Sequence, residues 1–209
     1  MASGQAPAGG LNPFHGAVMD TLTICNMALL KLGIPAITTF DEPNANARLC
    51  RVFYPALRDR CLRDHAWSFA MASAPLSVLD EPSPDPDYPL ACTVPTDALR
   101  IVRMSDGGPF RRMGGRLLVR DGGAAVEYVR RVEDAGLFDP VFVEALVFLI
   151  ASELCMAVTR DADMAAQYRQ GYLERLASAR SIDSQENVAA FQRRRPPRSS
   201  WIAARRSGV

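Results

Sequence analysis

The side chains available for chemistry are few: two histidines, five cysteines and a single lysine among 24 basic residues, the other 23 being arginine. His15 lies in an Ala/Gly/Pro-rich head, and His65 falls at an expected helix end, where an imidazolium meets the helix dipole favourably. The sequence has no G-x-G-x-x-G, G-x-S-x-G or H-E-x-x-H. With Lys31 as the one lysine, Schiff-base chemistry and the Gly-Lys phosphate loop are also excluded. Cys25, Cys50, Cys61, Cys92 and Cys155 are odd in number and contain no C-x-x-C pair, the pattern of thiols used as small core residues in a reducing compartment. Asp161-x-Asp163 opens like a calcium loop, but Ala166 and Tyr172 stand where glycine and glutamate are needed, so it reads as a helix cap. Asp85 and Asp87 read as a solubilising loop in preference to a weak cation site. No metal, cofactor or enzymatic activity is expected.

Arginine is what remains. Arg111, Arg112 and Arg116 lie among Gly107-Gly108, Gly114-Gly115 and Gly122-Gly123, which read either as hairpin turns or as an anion-binding nest for phosphate. A denser set closes the chain: Arg193, Arg194, Arg195, Arg198, Arg205 and Arg206, with no acid after Glu186. That tail carries +6 and residues 1–186 carry −5. Three roles compete for it: phosphate binding, docking on an acidic partner, and solubilisation. Trp201-Ile202 favours docking, because a solubilising tail has no use for an aromatic anchor and a phosphate binder would use lysine as well.

Positioning these groups falls to a chain of 209 residues, 48% apolar and 22% charged, enough for one sizeable core or two small ones. Residues 1–19 lack the basic start and apolar run of a signal peptide and are expected to form a flexible arm. The apolar run from Val141 to Ala151 is short of the roughly 20 residues of a membrane span, so a soluble protein with no membrane partner is expected. Leu22, Cys25, Leu29 and Leu32 recur at helical spacing, with Gly33 as the stop. A second helix is expected from Asp41-Glu42-Pro43 towards His65, with Ala45, Leu49, Val52, Phe53, Leu57 and Cys61 inward and a kink or break at Pro55. Trp67, Phe69 and Met71 alternate with small residues as in a strand, with Leu76, Val78 and Leu79 as its continuation. Asp80 to Pro89 reads as a solvated loop. Strands are expected over 90–94, 99–104, 116–120 and 124–130, joined as hairpins in one antiparallel sheet. Asp139-Pro140 opens a third helix, apolar nearly all round, and Asp161 caps a fourth with Met164, Tyr168, Tyr172, Leu176 and Ala179 on one stripe. The expected fold is α+β. It comprises an arm (1–19), an antiparallel four-helix bundle in two halves (20–66 and 138–186), a β-rich insertion (67–137) between the second and third helices, and an extended basic arm (187–209).

Three runs stand out in order: Ile24-Cys25-Asn26-Met27-Ala28-Leu29-Leu30-Lys31-Leu32-Gly33, Tyr54-Pro55 with Arg58-Asp59, and His65-Ala66-Trp67-Ser68-Phe69-Ala70. Together they resemble the tail tubular protein A family, the head-to-tail adaptors of short-tailed bacteriophages. Val94-Pro95-Thr96-Asp97-Ala98-Leu99-Arg100 is similar to the family's Leu-Pro-x-Asp-x-x-Arg turn, with valine in first place, and Phe138-Asp139-Pro140 is similar to the start of its third helix. The ordered similarity spans about residues 20 to 180. It implies a non-enzymatic virion protein of the neck and tail, made in the host cytoplasm. The resemblance further implies a dodecameric ring between portal and tail nozzle, lining the channel through which the genome leaves without sequence-specific contact. The terminal arginines with Trp201 and Ile202 then become a contact to the portal or a neighbouring subunit, and Arg111, Arg112 and Arg116 a nozzle-side or phosphate contact. The alternative from a different class is a DNA-binding regulator or packaging accessory that uses the arginine tail.

Overall fold

A computed structural model describes residues 19–194, with side chains to residue 182. Four helices and six strands alternate in blocks: α1 (Thr21–Lys31) and α2 (Ala45–Asp64), then β1 (Met71–Pro75), β2 (Leu90–Thr93), β3 (Ala98–Met104), β4 (Phe110–Met113), β5 (Arg116–Val119) and β6 (Ala125–Arg130), then α3 (Pro140–Val158) and α4 (Ala162–Arg194). The fold is mixed α+β with two small antiparallel sheets.

Local chemistry sets the helix ends. The Asp20 carboxylate accepts the Thr23 amide at 2.6 Å and caps α1, and Gly33, at φ +71°, supplies the left-handed turn that ends it. Asn26 then clamps the following loop, donating to the Ile37 carbonyl and accepting its amide, both at 2.8 Å. The cap of α2 is Asn44, not the acidic pair before it: Asn44 accepts the Ala47 amide, while Glu42 turns back to the Thr38 and Thr39 amides. Pro55 does not divide α2 into two helices; the 20-residue helix is continuous, with Tyr54, Leu57 and Cys61 buried around the proline. Its inner face is rotated from the expected stripe, because Ala47, Cys50, Tyr54 and Arg58 go inward and Val52 is 64% exposed.

Asp139 caps α3, with Pro140 in the first turn, as the sequence indicates. The 19-residue helix is apolar and long enough, by length and composition, to cross a membrane, more than the run to Ala151 suggests. In this fold 61% of its most apolar stretch is buried. The other three helices pack on it, which accounts for a helix apolar on nearly every side. Asp161 caps α4 through the Met164 amide. The two helices run antiparallel, since Arg169 meets Glu153, Gly171 meets Phe148 and Arg175 meets Glu144.

Gly171 marks their closest approach. A Cβ there would lie 2.6 Å from two atoms of the Phe148 ring, which is also held between the Lys31 ammonium at 4.5 Å and the Arg175 guanidinium at 3.5 Å. Alanine is the better helix former by about 1 kcal/mol. Overpacking works against that gain, so Gly171→Ala should be net destabilising by about 1–2 kcal/mol in denaturant unfolding; a variant more stable than the parent would contradict this packing.

The strands form two three-stranded sheets, β1-β6-β3 and β2-β5-β4, instead of the single sheet of hairpins expected. Only Gly114-Gly115, both at positive φ, makes a two-residue hairpin, joining β4 to β5. The other two glycine turns carry the chain from one sheet to the other. β4 has no readable alternation, because three of its four residues are exposed. Val126 and Tyr128 face the second sheet across a small core with Cys92, Met104, Leu117 and Val119, while Val129, on the opposite face of β6, joins the helical core.

Trp67 and Phe69 are not in a strand. Ser68–Ala70 is a single 3-10 turn, and both rings pack into the helical core beside Phe142, with strand pairing starting at Met71. The strand ends at Pro75, leaving Val78 in an isolated bridge to Cys92. α4 runs through Arg194, so residues 187–194 continue a helix and are not an extended arm. Chain chemistry accounts for this: from Ser181 to Arg194 there is neither glycine nor proline, and the first breaker is Pro196.

Candidate functional site

About half of the arginines of the folded body, nine of the 17 among residues 19–182, are engaged by carboxylates. Glu153 on α3 accepts from Arg60 of α2 at 2.9 Å and Arg169 of α4 at 3.3 Å, joining three helices through one side chain. Asp59 holds Arg58 at 2.9 Å and Arg131 at 2.8 Å, and the buried Arg58 reaches Glu133 as well, tying α2 to the chain after β6. The Tyr172 hydroxyl donates to Asp64 at 2.7 Å; burial, then nearby Cys61 and Asp64, push its ionisation well above the usual tyrosine range. Arg180 donates to the Asp64 carbonyl at 3.2 Å. These links fix helices against one another; none presents a free nucleophile. All five thiols are buried and free of disulfides. Contact with Cys50 and then burial push the Cys25 thiol up, and burial does the same for Cys61 and Cys92, the opposite of what a reactive thiolate needs. Among the described residues no group of three or more His, Cys, Asp and Glu side chains is placed to hold a metal.

The arginine trio of the second sheet is arranged differently from an open anion nest. Arg111 on β4 reaches Asp85 at 2.6 Å, and Arg116 on β5 pairs with Glu81. Both acids come from the segment Asp80 to Pro89, which therefore straps the outer face of the sheet, with Leu118 and Ala91 buried on that face. Asp85 itself is buried, while most of the residues around it are exposed, so the segment is the solvated loop its four acids and four prolines suggest, pinned to the sheet at one buried acid. Arg112 is exposed on the edge strand. Phosphate contact through Arg111 or Arg116 would first have to displace an internal carboxylate.

The Arg111 guanidinium, and secondarily the Asp87 amide, hold the Asp85 carboxyl below the usual carboxylate range. Since the folded pKa is depressed, the stabilisation is present above the unfolded value near 3.9 and is lost as pH falls through the folded one. The strap should thus stay in place from pH 7 to about pH 5. Followed by NMR, the Asp85 carboxyl carbon should titrate below about 3.9, and a midpoint at or above that value would contradict the pairing.

An open groove of about 310 Å³ lies where α4 passes the start of α3, lined by Trp67 and Phe69, by Leu137, Phe138 and Asp139, and by Ala179 and Ile182 of α4. Its floor is aromatic: Trp67, Phe69 and Phe138 line it and pack on the fully buried Phe142 beneath, with centroid separations of 4.7 to 6.4 Å. Ile182 continues the stripe of Tyr172, Leu176 and Ala179, but it lies beyond the first turn of α3, past that helix's N-terminal end, and is 45% exposed. Leu137 opposite is 52% exposed. The sequence gives half of this signal, since the stripe is legible; that it outruns its partner helix is not.

Of the terminal docking residues, Arg193 and Arg194 are on the last turn of α4. Arg195, Arg198, Trp201, Ile202, Arg205 and Arg206 lie outside the described residues, as does the head through residue 18. No family model matches this chain, and no curated protein matches it.

Proposed function

We propose that this chain is a structural head-to-tail adaptor of the tail tubular protein A type, a non-enzymatic subunit of a ring of twelve copies between portal and tail nozzle. In this proposal α1 to α4 form an antiparallel four-helix bundle whose two halves are separated in sequence by the strand-rich insertion. Bundle and insertion offer two distinct ends for two partners, and residues 193–209 dock on the portal or a neighbouring subunit. The ordered motifs from Ile24 to Pro140 support the family, and the antiparallel α3 and α4 support the bundle.

One observation carries the channel role. The body is acidic, and nine of the 17 arginines among residues 19–182 (51, 58, 60, 103, 111, 116, 131, 169 and 175) are paired with a carboxylate of the same chain. A wall of that kind repels phosphate and lets a duplex slide, whereas unpaired arginine would hold it through counterion release. The test is a salt titration of the purified protein on duplex DNA. The adaptor proposal expects negligible retention near 0.15 M salt, a condition close to physiological ionic strength. Tight binding whose logarithm falls steeply with log salt would instead favour the DNA-binding regulator acting through its arginine tail.

A further inference from the structure

We infer that in the free protomer the groove beside Ile182 is occupied by the chain's own Trp201-Ile202. This inference stands apart from the ring proposal and holds whether or not the protein assembles. Three observations carry it. First, the groove is unfinished: Ile182 and Leu137 expose apolar surface over an aromatic floor, the surface that an indole and a branched aliphatic side chain complete. Second, the lengths match. From Ile182 to Arg194 helix α4 advances about 18 Å at 1.5 Å per residue. The seven steps from Arg194 to Trp201 include Pro196-Pro197 and, at the roughly 3.1 Å per residue of an extended proline-rich chain, would reach about 22 Å, the length needed to return to the groove with little slack. A tether whose reach matches the span gives the anchor an effective concentration in the millimolar range, which a second copy must exceed to compete. Third, Asp139 lies on the groove wall, so the segment entering it, with Arg198 and Arg205 on either side of the anchor and no acid, meets a carboxylate.

The geometry also explains how one segment serves two states. Docked on its own groove, the Trp-Ile pair is kept from water until a partner surface binds it more strongly, so the partner needs only the difference between the two sites.

The chain has two tryptophans, Trp67 and Trp201, which makes the test direct. The full-length protein is labelled with 5-fluorotryptophan, its two fluorine resonances are assigned with Trp201→Phe, and the solvent isotope shift between H2O and D2O is read over a dilution series. The inference expects Trp201 to be shielded from solvent at every concentration, including those at which the protein is monomeric. It also expects loss of that shielding in Ile182→Asp and in Leu137→Asp, with the far-UV circular dichroism and a cooperative melting transition retained as the check on folding. Shielding that vanishes on dilution would assign the groove to a second copy and overturn the inference. An exposed Trp201 in the unmodified chain, or shielding indifferent to both folded groove variants, would overturn it equally.

Discussion

Phe142→Ala should lower stability by about 3–5 kcal/mol, a fall in melting temperature of roughly 6–20 °C for a chain of this size. Phe142 is fully buried on the first turn of α3, edge-on to Trp67 at 5.1 Å, to Phe69 at 5.2 Å and to Phe138 at 4.7 Å. Those three rings come from the 3-10 turn before β1 and from the segment entering α3, so the phenyl group is the point where the strand block is fastened to the helices. Removing it loses the transfer energy of the ring and leaves a cavity whose walls are themselves rigid aromatics, which limits collapse. Calorimetric unfolding checks the value. A loss below about 1 kcal/mol would mean that the cluster is not the hub described here.

Deleting residues 193–209 should leave a folded, cooperatively melting protein and remove portal attachment. Among the side chains described, the last buried residue of α4 is Ala179, and the deletion takes only the final two residues of the helix. Loss of a single aromatic hot spot of about 2 kcal/mol weakens binding about 30-fold, so affinity for the portal, measured by surface plasmon resonance, should fall at least that far. Attachment retained within about threefold would remove the tail from the docking role.

Much of the helical framework is legible in the sequence because the signals are local. Asp20, Asp139 and Asp161 cap their helices as their side chains dictate, Gly33 ends α1, and the stripe through Tyr172, Leu176 and Ala179 is buried. Reading fails where tertiary contacts decide. Arg58 is drawn inward by Asp59 and Glu133, which rotates the α2 face and leaves Val52 outside. Trp67 and Phe69 alternate with small residues as a strand would, yet both belong to one aromatic cluster that a 3-10 turn serves better. Asp85 looks like a solvated acid until Arg111, 26 residues later, is placed on it. The groove is built from segments near residues 67, 138 and 180, a proximity that no local pattern encodes. The tail arginines and Trp201 remain a sequence signal, to be placed by experiment.

The ring is the central claim, and electron microscopy of the purified protein mixed with its portal tests it most directly. The account predicts a closed ring of copies seated coaxially on the portal, with an acidic wall around an open channel. Particles showing the portal alone, or a ring whose channel is lined with unpaired arginines, would contradict it.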